Sequence, residues 1–271
     1  MSAPGRVGVV TVVHGRHEHL ALQEAGLAAS HRPPDVRVRV AMADPDVTGP
    51  DVVALDVAPG RPLPVAAARN LGARTALDGG ADVLVFLDVD CVPAPGALAA
   101  YAEAVADEPG TVWCGPVTYL EEADRPYRLA DLARLDAPHP ARPAPAPGER
   151  RHDDRWALFW SLSFAVGAAA WERCGGFDEA YEGYGGEDTD LGQRAARAGL
   201  RLGWLGAARA YHQHHPTSDP PVQHVADVVR NGRLFRDRWG WWPMGGWLEA
   251  FEARGLVRRV GDDGDDWVVA T

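Results

Sequence analysis

Short runs of β-branched residues alternate with helical patterns in the first half of the chain. Strands are predicted over 6–13, 36–43, 52–57 and 81–87, and helices over 18–29 and 65–77. Strands that alternate with helices in this way form βαβ units, in which the strands pair in parallel. We therefore predict a mostly parallel sheet whose ligand site lies beyond the carboxyl ends of its strands.

The second half of the chain has a different pattern. Proline recurs every two or three residues over 137–148, which excludes a helix or a central strand and predicts a mobile or polyproline II loop. After this loop we predict strands over 156–166 and 201–211, helices over 187–198 and 222–239, and a tryptophan-rich tail. Because this half lacks a complete βαβ series, we expect it to extend the first sheet and to form one wall of a shared cleft.

Composition limits the class of protein. The chain has 271 residues, 46% of them apolar, and a formal charge of −11, which is typical of a folded domain and unfavourable for nonspecific binding to nucleic acid. The longest strongly apolar run, 83–87, is far shorter than a membrane-spanning helix, and the first residues lack the apolar core of a signal peptide. Cys91, Cys114 and Cys174 show no CxxC spacing, which argues against a disulfide framework and a thiolate zinc site. We expect a cytoplasmic protein that can rest against a membrane without crossing it.

Two carboxylates follow the most apolar of the predicted strands. Asp88 and Asp90 come directly after Leu87 and, by strand alternation, point to the same side. Carboxylates this close repel each other unless a cation or hydrogen-bond donors lie between them. A divalent ion held by carboxylate and phosphate oxygens would meet that need. A solvated turn that caps a helix is the alternative interpretation.

A glycine-rich turn precedes a second pair of acids. Glycines at 183, 185 and 186 allow a sharp turn or a close approach to a ligand, and Glu187 and Asp188 open the following helix. The helix dipole favours ionised carboxylates at this end, which suits a general base. Simple capping of the helix is the alternative interpretation.

Three histidines, His212, His214 and His215, follow the strand predicted over 201–211. Imidazole is a common ligand of divalent ions, and strand alternation places His212 and His214 on one face. A plain surface loop also explains such a cluster, so contact with Asp90 depends on the fold.

Four other residues are weaker candidates. Arg69 lies in the helix over 65–77, where it can bind a diphosphate or remain exposed. Asp44 ends the second strand and can accept a hydrogen bond from a nucleobase. Trp160 and Trp242 are candidates for stacking on a sugar, although most tryptophans of the tail are expected to pack as core.

Taken in order, these motifs resemble those of the family 2 glycosyltransferases with a GT-A fold, and the second half is similar to the C-terminal region of galactosyltransferases. The resemblance covers 6–239 and rests on Thr11, Asp44, 69–72, 87–90, 175–179, 185–188 and His212. It implies a Rossmann-like, three-layer α/β sandwich with a mostly parallel central sheet. It also implies a donor-binding half over 1–120 and an acceptor-binding, catalytic half over 121–240, followed by the tryptophan-rich tail over 241–271.

The same resemblance implies which residues bind the donor and a metal. The donor, a nucleotide sugar that we expect to be a UDP-sugar, would contact Thr11, Asp44, Arg69 and Asp88. The metal, Mn2+ or Mg2+, would be held by Asp88, Asp90 and His212. The loop after the first strand reads His14-Gly15-Arg16, where family members often have Tyr-Asn or Asn-Arg.

The resemblance further implies a reaction. Glu187 and Trp160 would bind the acceptor, which is a small molecule, a glycan or a lipid-linked sugar. Asp188 would remove the proton of the acceptor hydroxyl as that hydroxyl attacks the anomeric carbon from the face opposite the leaving group, with inversion. The metal and Arg69 would offset the charge of the leaving nucleoside diphosphate. A nucleotidyltransferase and a non-catalytic protein that binds nucleotide sugars or carbohydrates are the other hypotheses, and the sequence does not fix the donor sugar, the acceptor, the stereochemistry or the oligomeric state.

Overall fold

The computed structural model describes residues 5–261 and 264–270. Its strands are β1 (Val7–Val13), β2 (Val36–Met42), β3 (Val52–Leu55), β4 (Val83–Leu87), β5 (Cys91–Pro93), β6 (Thr111–Cys114), β7 (Val117–Tyr119), β8 (Arg150–Asp153), β9 (Ser163–Gly167), β10 (Arg201–Leu205), β11 (Ala210–His212), β12 (Val257–Val260) and β13 (Asp266–Val269). Its α-helices are α1 (His17–Ala28), α2 (Val65–Asp78), α3 (Ala97–Asp107), α4 (Leu129–Leu132), α5 (Ala168–Cys174), α6 (Glu187–Arg197), α7 (Val225–Trp239) and α8 (Gly245–Ala253).

The central sheet has eight strands in the order β3-β2-β1-β4-β9-β6-β10-β8. Strand β1 pairs in parallel with β2 and β4, β2 with β3, and β10 with β6. Strand β9 runs antiparallel to both β4 and β6, and β8 runs antiparallel to β10 at the edge. The predicted mostly parallel sheet is therefore confirmed, and strands of the second half extend it as expected.

Helices cover both faces of this sheet. Strand alternation sends Val10 and Phe86 to a core shared with α2, α5 and α6, and sends Val9 and Val85 to a core shared with α1 and α3. The rings of Phe86 and Phe164 stack at 4.6 Å in the first of these cores. The predicted three-layer sandwich is confirmed.

A small second sheet, in the order β5-β11-β7, lies beyond the end of β4. Its register places His212 opposite Cys91 in β5 and opposite Tyr119 in β7. Since Asp90 directly precedes Cys91, this pairing brings the first histidine to the second carboxylate across more than a hundred residues of sequence.

The strand predicted over 201–211 is wrong in one respect, because it is two strands in two sheets. Strand β10 belongs to the central sheet and β11 to the small one. Strand β10 ends at Leu205, directly before Gly206. Gly206 lies so close to the proline-rich loop that an added Cβ would be 2.0 Å from the carbonyl oxygen of Ala146. Only a residue without a side chain permits this approach.

Another predicted boundary differs from the structure. The strand predicted over 156–166 begins only at Ser163, because residues 156–158 form a 3-10 turn that buries Phe159. The proline-rich loop over 137–148 is attached to β7, where the His139 N–H donates to the Val117 carbonyl at 2.9 Å.

The C-terminal segment folds against α7. Helix α8 and the β12–β13 hairpin form an apolar cluster with α7 around Val228, Phe251 and Trp267, and Trp242 packs against its edge. Trp242 and Trp247 are partly buried against this cluster, whereas Trp241 is exposed. Among the described residues, no helix has the length and the apolar character that crossing a bilayer requires.

Candidate active site

The candidate site begins at the turn that follows β4. The Asp88 N–H donates to the Leu162 carbonyl, and the Cys91 N–H donates to the Asp88 carbonyl at 2.8 Å, so the chain turns immediately after the strand. Strand alternation had predicted that the two carboxylates point to the same side, and in the structure they do not. Asp88 faces Arg69, and Asp90 faces His212 at the end of β11 and His215 after it.

Thr11 lies beneath this turn. Its buried hydroxyl donates to the Gln23 Oε1 at 3.0 Å, and the Gln23 amide donates to the carbonyls of Asp88 and Cys91 at 2.6 and 3.1 Å. In the structure Thr11 thus supports the turn through Gln23, and its contact with a nucleobase stays a prediction. Gln23 was missed because a glutamine within a helix carries no sequence signal.

Asp90, His212 and His215 form a group with the chemistry of a metal site. Their ligand atoms all lie within 4.8 Å of one another, and the Nε2 atoms of the two histidines lie 3.3 and 3.5 Å from the Asp90 carboxylate. Asp90 is only 2% exposed, and its Oδ1 has no hydrogen bond. A buried carboxylate oxygen without a donor, beside two imidazoles, fits a divalent cation.

The pairing of histidines differs from the predicted one. We expected His212 and His214 to share a strand face, but β11 ends at His212 and the alternation stops there. The Gln213 N–H donates to the Asp90 carbonyl at 2.8 Å, which anchors the following turn. His215, rather than His214, then reaches Asp90. Burial, together with the positive charge of Arg16, lowers the pKa of His215, which favours the neutral imidazole that a metal requires.

Arg69 connects the two acidic motifs. It lies on α2, is 6% exposed, and donates to Asp88 Oδ1 at 2.8 Å and to Glu187 Oε1 at 3.2 Å. Its guanidinium also lies over the Phe177 ring, 5.1 Å from the centroid. Asn70 fixes that ring by exchanging two hydrogen bonds of 2.9 Å with the Phe177 backbone. The predicted motif over 69–72 therefore both supplies a buried cation and positions it.

Glu187 and Asp188 form the first turn of α6, where the helix N-terminus faces Arg69. Burial raises the pKa of Glu187 to about 7, repulsion from Asp188 adds to the rise, and Arg69 opposes it. Burial also raises the pKa of Asp188, against the effects of Arg69 and of the hydrogen bond that the Thr189 N–H donates at 2.7 Å. Two neighbouring, partly buried acids with raised pKa values are typical of proton-transfer sites.

The glycine-rich turn before α6 is held from α7. Gly186 has a φ of 93°, in the left-handed region that glycine accepts readily. The Asn231 amide of α7 donates to the carbonyls of Glu182, Tyr184 and Gly185 at 3.0, 3.3 and 2.8 Å. Asn231, which sequence reasoning missed, thus fixes the path of the chain into Glu187.

Asp190, one turn into α6, is a second link to α7. It is fully buried, and its Oδ1 accepts hydrogen bonds from Arg238 and from the Trp239 indole, both at 2.8 Å. Sequence reasoning did not single it out, although its spacing of three residues from Glu187 places both on one side of the helix.

Asp44 lies near the end of β2, beside the loop that follows β1. It accepts hydrogen bonds from the Gly15 N–H at 2.7 Å and from His17 at 3.0 Å. Burial alone would raise the pKa of Asp44, but these donors outweigh it and lower the pKa. Asp44 is therefore a fixed, ionised acceptor at the carboxyl end of the sheet.

Trp160 belongs to a row of partly exposed rings that starts at His212. Tyr119 stacks on His212 at 4.5 Å, His139 contacts Tyr119 at 5.1 Å, and Trp160 contacts His139 at 5.3 Å. Buried Arg142 supports the Trp160 ring from below at 5.3 Å. The row extends the site away from the metal-binding group.

Several of the predicted site residues are joined by direct contacts, whereas Trp242 packs on the C-terminal cluster. Arg69 contacts both Asp88 and Glu187, and Asp188 follows Glu187 in the chain. Asp90, two residues after Asp88, contacts the two histidines. The cavity of about 620 Å³ bordered by Ala144 and Arg151 contains none of these residues.

Sequence comparisons identify relatives over part of the chain. Residues 151–216 match the family described as the N-terminal domain of galactosyltransferase. Validoxylamine A glucosyltransferase of Streptomyces hygroscopicus subsp. jinggangensis (strain 5008) is 33% identical over 160 residues, which cover 51% of this chain and 36% of that protein. Chondroitin synthase of Escherichia coli is 26% identical over 183 residues, which cover 59% of this chain and 26% of that protein. The chain therefore spans about a third of the length of the curated relatives it matches, or less.

Solved structures show the same fold. GalNAc-T7, crystallised with UDP, GalNAc and Mn2+, superposes with a TM-score of 0.57 at 14% identity, over 95% of this chain and 61% of that one. TarS of S. aureus gives a TM-score of 0.58 at 12% identity, over 85% of this chain and 39% of that one. The predicted GT-A architecture is confirmed, and over part of its length the chain is similar in sequence to a glucosyltransferase and to chondroitin synthase.

Proposed function

We propose that the chain is an inverting, metal-dependent glycosyltransferase that moves a hexose from a nucleoside diphosphate sugar, expected to be a UDP-sugar, to an acceptor hydroxyl. The observation that carries the proposal is the position of Arg69, which contacts both Asp88 and Glu187. A buried cation between two acidic motifs lies where a transferase must hold a leaving anion next to a base. The sequence similarity to validoxylamine A glucosyltransferase supports the transfer of a hexose.

Asp90, His212 and His215 would hold the metal ion, Mn2+ or Mg2+. The Asp90 Oδ1, which accepts no hydrogen bond and lies 3.3 Å from the His212 Nε2, supports this choice of residues, as does the lowered pKa of His215, and imidazole ligands favour Mn2+ over Mg2+. When bound, the ion would offset the charge of the leaving diphosphate. We place Asp88 on the donor side, at the ribose or as a further ligand of the ion.

The donor would lie across the carboxyl ends of β1, β2 and β4, so that residues 1–120 form the donor-binding half. Asp44, kept ionised by its donors, would accept a hydrogen bond from the base, with Thr11 nearby at the end of the first strand. Arg69 would direct its charge to the diphosphate, since guanidinium groups suit phosphate oxygens.

Asp188 would act as the base, and residues 121–240 would form the acceptor-binding, catalytic half. Both hydrogen bonds from Thr189 go to Asp188 Oδ1, which leaves Oδ2 to receive the proton of the acceptor hydroxyl. Glu187, with a pKa of about 7, is partly protonated at neutral pH and can donate a hydrogen bond to the acceptor. Attack from the side of α6, opposite the leaving diphosphate, would invert the anomeric centre.

The acceptor's sugar rings would stack on the aromatic row that ends in Trp160. Partly exposed rings offer a large apolar face next to polar edges, which matches the two kinds of surface on a pyranose. Tyr119, which is 39% exposed, would contact the acceptor between His212 and Trp160.

The proposal is tested by the release of nucleoside diphosphate from UDP-sugars with Mn2+ and a panel of sugar acceptors. Asp188→Asn should lower kcat about 10²- to 10⁴-fold, the usual effect of losing a general base. Asp154→Asn, at an exposed position, is the matched control. If Asp188→Asn and Asp90→Asn leave turnover unchanged, the assignment is wrong. Pyrophosphate release from a nucleoside triphosphate would instead identify a nucleotidyltransferase, and tight donor binding without turnover would identify a binding protein.

A further inference from the structure

Asp90 has a third charged neighbour besides the two histidines. The Arg16 guanidinium forms an ion pair with Asp90 Oδ2, the same oxygen that lies 3.5 Å from the His215 Nε2. His212 faces the other oxygen at 3.3 Å. A cation of the chain itself therefore touches the carboxylate on which the metal site is centred.

The backbone around Arg16 aims its side chain at Asp90. Arg16 has φ and ψ of 54° and 36°, a left-handed conformation that non-glycine residues rarely adopt, directly before α1. Its neighbours on both sides are attached to Asp44, through the Gly15 N–H and the His17 ring. The two attachments fix the position of the Arg16 backbone while the side chain stays 40% exposed.

Arg16 and a divalent cation held by the two histidines would compete for the Asp90 carboxylate. Two positive groups on one carboxylate repel each other, and this repulsion is only weakly screened beside a group that is 2% exposed. His212 and His215 are largely buried, whereas the Arg16 side chain can turn towards solvent. The side chain that gives way is therefore Arg16.

We propose that Arg16 is an exchangeable counter-ion of Asp90, which competes with the divalent cation and, once displaced, binds the diphosphate of the nucleotide. This inference rests on the proposed function of the site. The displaced guanidinium can donate two hydrogen bonds to oxygens of a bound diphosphate, which replace its ion pair with the carboxylate. Cation and nucleotide therefore assist each other's binding through Arg16, and the assistance is reciprocal.

The test is the Kd for Mn2+ of the full chain, measured from the electron paramagnetic resonance signal of free Mn2+, with and without UDP. Without UDP, Arg16→Gln should bind Mn2+ about tenfold more tightly than the wild type, the effect of losing one hydrogen bond to a charged group. Arg16→Lys keeps the charge and should stay near the wild-type Kd. Arg61→Gln, which removes an exposed arginine paired with Glu182, is the matched control.

The UDP arm tests the second part of the proposal. UDP should tighten Mn2+ binding by a larger factor in the wild type than in Arg16→Gln, because only the wild type can move a guanidinium to the diphosphate. An equal factor in both proteins would overturn the role at the diphosphate. An unchanged or weaker Mn2+ affinity of Arg16→Gln without UDP would overturn the competition.

Failure of the proposed function is distinguishable from failure of this inference. If the wild type binds no Mn2+ with or without UDP, the metal-dependent function is wrong and the inference is wrong with it. If the wild type binds Mn2+ and Arg16→Gln does not differ from it, only the inference is wrong. Thermal unfolding of each variant checks that the chains compared are folded.

Discussion

The ionisation of Glu187 shows how much a partly buried charge in the candidate site lowers the free energy of unfolding. Its side chain is 15% exposed and lies beside Asp188, with Arg69 as its cationic partner. Burial and the repulsion from Asp188 raise its pKa from the ordinary 4.5 to about 7. Between these two values the folded chain binds more protons than the unfolded chain, so a rise in pH lowers the free energy of unfolding.

The size of this effect follows from the two pKa values. Ionising a carboxyl whose pKa rises from 4.5 to about 7 on folding costs about 3 kcal/mol, at roughly 1.4 kcal/mol per pH unit. Glu187→Gln removes the ionisation and keeps an oxygen that can accept the hydrogen bond from Arg69. The free energy of unfolding of the variant minus that of the wild type should therefore be about 3 kcal/mol larger at alkaline pH than at acidic pH.

Urea unfolding at a series of pH values measures this difference. The stability of Glu187→Gln minus that of the wild type should be constant below about pH 4.5, rise through neutrality, and level off above about pH 8. Glu249→Gln, at an exposed position on α8, controls for the loss of a carboxylate as such. A difference that is the same at acidic and alkaline pH would refute the argument that burial destabilises the charged form of Glu187.

Three further predictions concern metal binding, stability and the acceptor. His215→Ala should weaken Mn2+ binding at least about tenfold in a titration, whereas His214→Ala should not, and equal effects would contradict the ligand assignment. Asp190→Ala should lower the free energy of unfolding by about 1–3 kcal/mol in urea, because it removes the buried carboxylate that accepts hydrogen bonds from Tyr181, Arg238 and Trp239; a loss of less than about 0.5 kcal/mol would contradict this role. Trp160→Ala should raise KM for the acceptor more than KM for the donor in steady-state kinetics, and the reverse order would place the aromatic row on the donor side.

The regular part of the fold could be predicted because it depends on local pattern. Valine-rich runs became β1, β2 and β4, and the end of β4 carries Asp88 as expected. The turn after Leu87 could not be predicted, since it depends on a hydrogen bond to the Leu162 carbonyl, far away in sequence. The divergence of the two carboxylates therefore appears only in the folded chain.

Pairings set by tertiary contacts could not be predicted either. His215 reaches Asp90 because β11 ends after three residues, and a histidine pattern alone cannot show where a strand ends. Arg16 reaches the same carboxylate through a left-handed backbone conformation that is common in glycine and rare in arginine. The sequence indicated the kinds of residue in the candidate metal site, and the fold determines which of them come together.

Asn231 and Asp190 make the turn that leads into the proposed base dependent on α7, outside the candidate site. Both join it to α7, and α7 in turn rests on the terminal hairpin, where Arg233 donates to the Trp267 carbonyl at 2.8 Å. Shortening the C-terminus, or exchanging it to build a chimaera, would therefore disturb the position of the proposed base as well. Any such chimaera should carry α7 and its hairpin together with the turn that they support.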